Sequence, residues 1–413
     1  MNLKLRPLIL LLVLLATRVP AAELAFTIES AVRHALTNNV DLAAARLSVA
    51  EATSRVEQAG RWSNPELETE IKPNIRGREG SFSAGFTQRF PLASRLKLEK
   101  GLSRAHVAIA EAEVREFERK LALEVRTVAV QIAALDAHIA LKPKQLQNIG
   151  DLAAASRKAV SAGEGSDLET AQLELESAQL TAQRLQAEAD QAELKGQLRL
   201  LLALPAGTGV RVEDSLDDPK LAAAEVVDVA KRGDYLAATA RTAAANQSIE
   251  VARASRWEDA RVGLFGEVDR TEDAPDGIRT EGMVGLRFSL PLPLWNTEKG
   301  RVAEASATAN RRQKEADALA QRIHSEASIA RGQMEAAAAR AKSIADDLLP
   351  KARLLEERLT RRHAEGQAPM ADLLRARERR LQFDASAIDA RRDFHLARVR
   401  HLAATGQTPS IQP

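Results

Sequence analysis

The chain contains no cysteine, and only 13 of its 413 residues are aromatic: nine Phe, three Trp and one Tyr. The lack of thiols excludes a disulfide framework, a thiolate metal site, an iron–sulfur cluster and a cysteine nucleophile. The shortage of rings argues against the two or three ordinary domains that length alone suggests, because rings bury the most surface per residue. Ala, Leu, Arg, Glu and Gln fill long stretches instead, a composition that points to long helices packed through small residues. Charged residues make up 28% and apolar residues 45% of the sequence, which argues against general disorder. A net charge of +2 argues against bulk electrostatic binding of nucleic acid.

Long apolar runs are also missing. Leu8–Ala16, nine residues, is the apolar run of the N-terminal segment and is too short to span a bilayer as a helix. It follows Lys4 and Arg6 and precedes the small residues Ala21 and Ala22, the layout of an export signal over 1–22. Removing that segment with its three cations, Lys4, Arg6 and Arg18, takes the net charge from +2 to −1. No cysteine follows the run, so a lipid on a new N-terminal cysteine is excluded. No other segment approaches 18 consecutive apolar residues, so membrane insertion requires strands.

An internal repeat is present. The first copy spans 23–205 and the second 222–406, with a linker at 206–221 and a tail at 407–413. Each copy opens with a helical stretch, Thr27–Gly60 and then Ala222–Trp257. Each continues with two alternating segments, 65–72 and 81–91 in the first copy, 261–270 and 282–291 in the second. Gly85-Phe86-Thr87-Gln88-Arg89-Phe90-Pro91 aligns with Gly285-Leu286-Arg287-Phe288-Ser289-Leu290-Pro291. Glu99-Lys100-Gly101 aligns with Glu298-Lys299-Gly300. A long helix follows in each copy, 93–161 and 294–363, then a glycine-containing break, then a final helix, 166–203 and 369–404.

Uninterrupted, the first long helix would reach roughly 100 Å. Its apolar seam, Leu121, Val125, Val128, Ile132, Leu135 and Ile139, alternates steps of four and three. So does Ile323, Ala327, Ala330, Met334, Ala337, Ala341, Ile344 and Leu348 in the second. Pro143 and Pro350 are expected to kink or break these helices. The 166–203 helix carries two seams on different faces. One is Leu168, Ala171, Leu175, Ala178, Ala182, Leu185, Ala189, Ala192 and Gly196; the other is Leu173, Leu180, Ala187, Leu194 and Leu201. Two seams require two neighbours, as in helices packed around a cylinder. Four short strands per chain cannot close a membrane barrel alone and must be pooled among subunits.

No catalytic motif is present. His34, His106, His138, His324, His363, His395 and His401 are scattered without metal-ligand spacing, and Met283, Met334 and Met370 read as packing residues. Asp214, Asp217 and Asp218 before Pro219 read as a solvated linker. Arg375, Arg377, Arg379 and Arg380 read as a solvated helix face, since no ring is interleaved for stacking on bases. Gly163-Glu164-Gly165 lacks the spacing and lysine of a phosphate loop. No enzyme, cofactor or metal site is expected.

The tandem order of helix, strands, long helix, glycine turn and helix resembles the TolC-type outer membrane efflux family. The strings Leu290-Pro291-Leu292-Pro293-Leu294-Trp295-Asn296-Thr297-Glu298-Lys299-Gly300 and Ala162-Gly163-Glu164-Gly165-Ser166-Asp167-Leu168-Glu169 most resemble its heavy-metal (cobalt–zinc–cadmium) resistance subgroup. The resemblance implies a mainly α fold with a small β part. The protein would be a homotrimer whose pooled strands form one twelve-stranded outer-membrane β-barrel above a long-helix α-barrel in the periplasm. It implies a periplasmic adaptor, a proton-driven resistance–nodulation–division pump and outer membrane lipid as partners, and passive export of heavy-metal cations as the function. A drug or organic-compound channel, a periplasmic coiled-coil adaptor and a rod spacing the envelope layers are the alternatives. An adaptor has one hairpin where this chain has two, and a rod needs no paired strands.

Site residues follow from the same resemblance. Ala162, Gly163, Glu164, Glu365, Gly366 and Gln367 match the tip turns that meet the adaptor. Asp372 matches the family's first constriction acid, and the second falls on Arg375, a departure that makes a mixed-sign ring. The family's closing tyrosine–aspartate bond maps to His363 and Glu169. That contact is strongest when the ring is protonated, so closure is expected to tighten as pH falls.

Overall fold

The computed structural model describes residues 23–74, 79–163, 165–221, 227–273, 275 and 277–407. The export segment 1–22, Glu164, the opening of the second repeat at 222–226 and the tail beyond 407 lie outside the described residues. The first repeat contains β1 (Leu24–Phe26), α1 (Ile28–Asn38), α2 (Val40–Gln58), β2 (Glu66–Pro73), β3 (Gly80–Phe90), α3 (Arg95–Ser161) and α4 (Asp167–Leu201). β4 (Val210–Val212) lies in the linker. The second repeat contains α5 (Gly233–Ala254), β5 (Ala260–Asp273), β6 (Gly277–Ser289), α6 (Lys299–Ser343), α7 (Leu349–Ala364) and α8 (Met370–Ala404).

Local chemistry sets the breaks. The opening helical stretch divides at Asn39, whose side chain accepts the Leu42 amide at 2.9 Å and caps α2. The break expected at Pro143 does not divide α3, which runs 67 residues through it. At Pro350 the helix does change: Ile344–Leu348 forms a π-helical turn, and α7 restarts with the proline in its first turn. The Leu349 amide donates to the Ile344 carbonyl, so the helix stays continuous and the wider π register is where it accommodates a residue with no N–H.

The chain divides into two compact units, and neither is a repeat. One comprises residues up to Ala35, Val125–Asp218 and Ala341–Arg392; the other comprises Leu36–Glu124, Pro219–Arg340 and the residues from Asp393. In the first unit Ile149, Leu152, Leu180 and Leu374 form one buried cluster, and Ala341, Ile344, Leu349, Ala387 and Ala390 another. β1 pairs with β4 in parallel, Leu24 opposite Val210. Asp214, expected in a solvated linker, instead accepts the Ile28 amide at 2.6 Å and caps α1, while Asp218 pairs with Arg391 at 2.8 Å. Of the two seams on α4, Leu180 is buried while Leu168, Leu175 and Leu185 are exposed.

In the second unit Met334, Ala338, Phe394 and Ala397 pack together. Small residues dominate such seams: Ala327, Ala330, Ala338 and Ala397 are all nearly inaccessible. The unit also holds an antiparallel sheet in the order β2-β3-β5-β6. Its register aligns Leu67, Phe86, Leu264 and Leu286 in one row, and Glu68, Gly85, Phe265 and Gly285 in the next.

Candidate functional site

Because side chains alternate across a strand, the register sorts the sheet into two faces. One face carries Leu67, Ile71, Phe82, Phe86, Val262, Leu264, Val268, Ile278, Val284, Leu286 and Phe288, and every one of them is exposed. The other carries Glu66, Glu68, Glu70, Ser81, Ser83, Thr87, Arg89, Glu267, Asp269, Glu281 and Arg287. A water-soluble sheet has the opposite arrangement, apolar face covered and polar face wet. Here Leu286 is 79% exposed while Thr87 on the polar face is 7% exposed. Arg287 on β6 also reaches Glu68 on β2 at 3.3 Å, across both intervening strands. Such a link requires the sheet to curve toward its polar side. The apolar face is therefore convex. All three Trp of the chain flank one end of this sheet: Trp62 before β2, Trp257 before β5 and Trp295 after β6, all exposed.

The hairpin turns of the first unit are built on left-handed glycines. Gly163 has φ 78° and Gly366 has φ 72°, and nothing stands within 4 Å of where a Cβ would project from either. At the second turn the Gln367 amide donates to the Arg362 carbonyl at 2.8 Å and the Gly366 amide to the His363 carbonyl at 3.0 Å. This double closure of the last helical turn needs positive φ at its pivot. The Gly163 amide donates to the Val160 carbonyl at 3.0 Å in the same way. Ala162, Gly163, Glu365, Gly366 and Gln367 are exposed on these turns; Glu164 lies outside the described residues.

The four residues matched to a constriction are only partly brought together. Glu169 in the first turn of α4 pairs with Arg375 in the first turn and a half of α8. His363 does not reach Glu169: its Nδ1 donates to the Ala368 carbonyl at 2.9 Å, within its own turn. The longer guanidinium takes the carboxylate, and the ring is spent locally. Asp372 is exposed in the first turn of α8, where an acid is favoured by the helix dipole. Glu169 and Arg375 are 43% and 63% exposed, so their pair contributes little to stability and opens readily.

Buried ionic ties were not legible in the sequence. In the first unit Arg126 on α3 binds Glu29 on α1 with both oxygens, at 3.0 and 2.9 Å. In the second, Arg232 before α5 binds Asp234 at 3.0 and 2.6 Å and Glu326 on α6 at 2.8 Å. It also donates to the Ala404 carbonyl at 3.3 Å, and Arg119 donates to Ala403 at 3.0 Å. Two carbonyls at the end of α8 thus gain cationic partners. Burial alone would lower the Arg232 pKa and raise that of Asp234. The hydrogen bonds and charges of the cluster outweigh it, so Arg232 is raised and Asp234 lowered. In the first unit, burial raises the Glu378 carboxyl, the nearby Glu176 charge adds to this, and the Asn148 amide opposes it. No group of three His, Cys, Asp or Glu able to hold a metal occurs among the described residues.

Residues 31–204, most of the first repeat and less than half of the chain, match the family described as Outer membrane efflux protein. No curated protein matches the chain in sequence. Among solved structures, the open state of the Neisseria gonorrhoeae MtrE outer membrane channel is 17% identical with a TM-score of 0.74, over 92% of this chain and 88% of that one. The outer-membrane channel OprN is 18% identical with a TM-score of 0.73, over 92% and 90%. CusC, described by its transmembrane channel formation, is 19% identical with a TM-score of 0.72, over 92% of each. The mostly helical chain with its curved four-stranded sheet has the fold of the TolC-like outer membrane channels, and its first repeat carries the sequence pattern of the outer membrane efflux proteins.

Proposed function

We propose that the chain is the outer membrane channel of a tripartite efflux system, a passive homotrimer working with a periplasmic adaptor and an inner-membrane pump. The observation that carries this reading is the inverted sheet. A convex apolar face suits lipid, a concave polar face suits a water-filled lumen, and the Trp residues at one end suit the membrane interface. The edges of β2 and β6 are unpaired among the described strands, and an open edge is a template for another chain. Three copies would pool four strands each into twelve. The exposed seam of Leu168, Leu175 and Leu185 on α4 supplies a second surface for a neighbouring copy.

Ala162–Gly163 and Glu365–Gly366–Gln367 then face the adaptor, and Glu169, Arg375 and Asp372 line a mixed-sign constriction in which Glu169–Arg375 is the closing pair. The finer reading, export of heavy-metal cations, rests on the Leu290–Gly300 and Ala162–Glu169 strings. Fold likeness at 17–19% identity shows the fold alone and does not separate cargo classes.

Fractionation followed by planar-bilayer recording tests the reading. The expected result is an outer-membrane protein that needs detergent, has trimer mass and gives discrete conductance steps. Glu169→Gln is expected to raise basal conductance, and Asp372→Asn to change cation selectivity. A detergent-independent protein or a monodisperse monomer overturns the channel. Parent-like currents in both variants remove only the constriction.

A further inference from the structure

The polar face of the sheet holds an arrangement that conduction alone does not require. Phe265 is its only aromatic residue among the described strands, and it is flanked across both neighbouring strands by glycine. Neither glycine has room for a side chain. A Cβ on Gly85 would stand 2.7 Å from the Phe265 Cβ, and one on Gly285 would stand 2.6 Å from the far end of its ring. The far end of the ring therefore lies over Gly285. Arg287 sets its guanidinium carbon 5.0 Å from the ring centroid and its Nη1 3.3 Å from Glu68 Oε2. With Glu70, Ser83 and Thr87 these groups line a hollow of about 320 Å³. That is at the small end of organic-ligand pockets, which start near ~300 Å³.

Resting on the channel reading, in which this face is the lumen, we propose that the hollow is a cargo-contact site for organic molecules that combine an aromatic ring with an anionic group. The guanidinium has five N–H donors in a planar fork, and one engages Glu68. The rest of the fork matches a carboxylate. A cargo ring packs against the guanidinium and the phenyl ring beneath it. Glu68 is the internal competitor for Arg287, holding the fork in place when cargo is absent. Glu68 and Glu70 would draw in a bare metal cation that Arg287 repels, so such a cation is the competing occupant the test must separate.

Current block of the purified full-length protein in planar bilayers by 2-naphthoate tests this, with acetate and Zn²⁺ as comparison probes and trimer mass in detergent as the check on assembly. Naphthoate is expected to block the parent in a concentration-dependent way. Phe265→Leu and Arg287→Gln are each expected to raise the half-blocking concentration about threefold, the scale of one solvent-exposed cation–π contact. Glu68→Gln, which frees the fork, is expected to lower it. Acetate is expected to act equally on all four proteins. An unchanged half-block in Phe265→Leu and Arg287→Gln overturns the site, as does weaker block in Glu68→Gln or a Zn²⁺ block that Glu68→Gln abolishes. A conducting parent indifferent to naphthoate overturns the site and leaves the channel standing; a parent with no conductance overturns both.

Discussion

The two repeats follow one plan with different means, and the differences show where the plan is constrained. In the first, the opening helix supplies the acid of the buried tie, Glu29, and the long helix supplies the arginine, Arg126. In the second the polarity is reversed: Arg232 precedes the opening helix, and Glu326 sits on the long one. The tie between these elements is kept, while the charge at either end is not. The long helices differ too. α3 continues through Pro143, whereas the second long helix passes through a π turn before Pro350. The turns at Gly163 and Gly366 are nearly identical, with φ of 78° and 72°.

The largest effect is expected at those turns. If both dock an adaptor, Gly163→Trp and Gly366→Trp each abolish export in a cell-based resistance assay while the proposed trimers still form: the new side chains project into open space, and left-handed backbone adds only about 1–2 kcal/mol of strain at an exposed turn. Export retained in one variant alone makes docking the work of a single repeat; export retained in both moves docking elsewhere.

The ionic ties are next. Arg232→Ala leaves Asp234, 22% exposed, without its cation while the more exposed Glu326 rehydrates, and is expected to destabilise by about 2–3 kcal/mol. Arg126→Ala releases Glu29, whose side chain is already 59% exposed and rehydrates, so about 1–2 kcal/mol is expected. Denaturation midpoints of the detergent-solubilised variants check the order. Because Asp234 is held below its ordinary range, the second tie is intact at pH 7 and at pH 5. It is lost only as pH falls below ~4, the ordinary aspartate value, through the lowered folded value.

A smaller effect is expected at Glu378, which has the opposite sign. Its raised carboxyl favours the protonated form in the folded state, so its penalty is full at neutral pH. The penalty fades as pH falls through the raised value toward ~4.3, the ordinary glutamate value. Glu378→Gln is therefore expected to raise the melting temperature at pH 7 and to lose that advantage near pH 4. A gain independent of pH would assign the effect to packing.

Much of this fold is written in periodicity. Leu121, Val125, Val128 and Ile132 fall at coiled-coil spacing and are all buried, as are Ile323, Ala327, Ala330 and Met334. The alternation of Phe82, Ala84 and Phe86 marked a strand, and the matched glycines Gly85 and Gly285 marked the repeat. What alternation alone did not give is that these two glycines flank one ring, Phe265, from opposite sides, because strand order and register are long-range facts. β1 and β4, three residues each, are too short to carry a pattern. The ties at Arg126 and Arg232 were hidden for a related reason: their partners lie 97 and 94 residues away, and one arginine in a charged helix looks like another. At the proposed constriction, sequence matching placed Glu169 and Arg375 near a turn, but choosing between arginine and His363 as partner needed side-chain reach.

The smallest expected effect tests the repeats where they end. α4 closes with Ala203 at φ 53°, its amide 3.0 Å from the Leu200 carbonyl and the Leu204 amide 3.0 Å from that of Arg199. α8 closes with the same hydrogen bonds around Gly406 at φ 75°. The two positions differ in their surroundings. Ala203 is exposed, whereas a Cβ on Gly406 would meet the Arg232 Cγ at 3.2 Å and the Lys231 backbone at 3.3 Å. Left-handed backbone costs an L-residue about 1–2 kcal/mol, and glycine's extra freedom in the unfolded chain returns about 0.5–1 kcal/mol of that. Ala203→Gly is therefore expected to stabilise by about 0.5 kcal/mol. Gly406→Ala adds strain and crowds Arg232, and is expected to destabilise by about 1–2 kcal/mol. Opposite signs in paired melting curves would show that one turn geometry is enforced in both repeats. Equal signs would mean that the unfolded state, and not the turn, decides the residue.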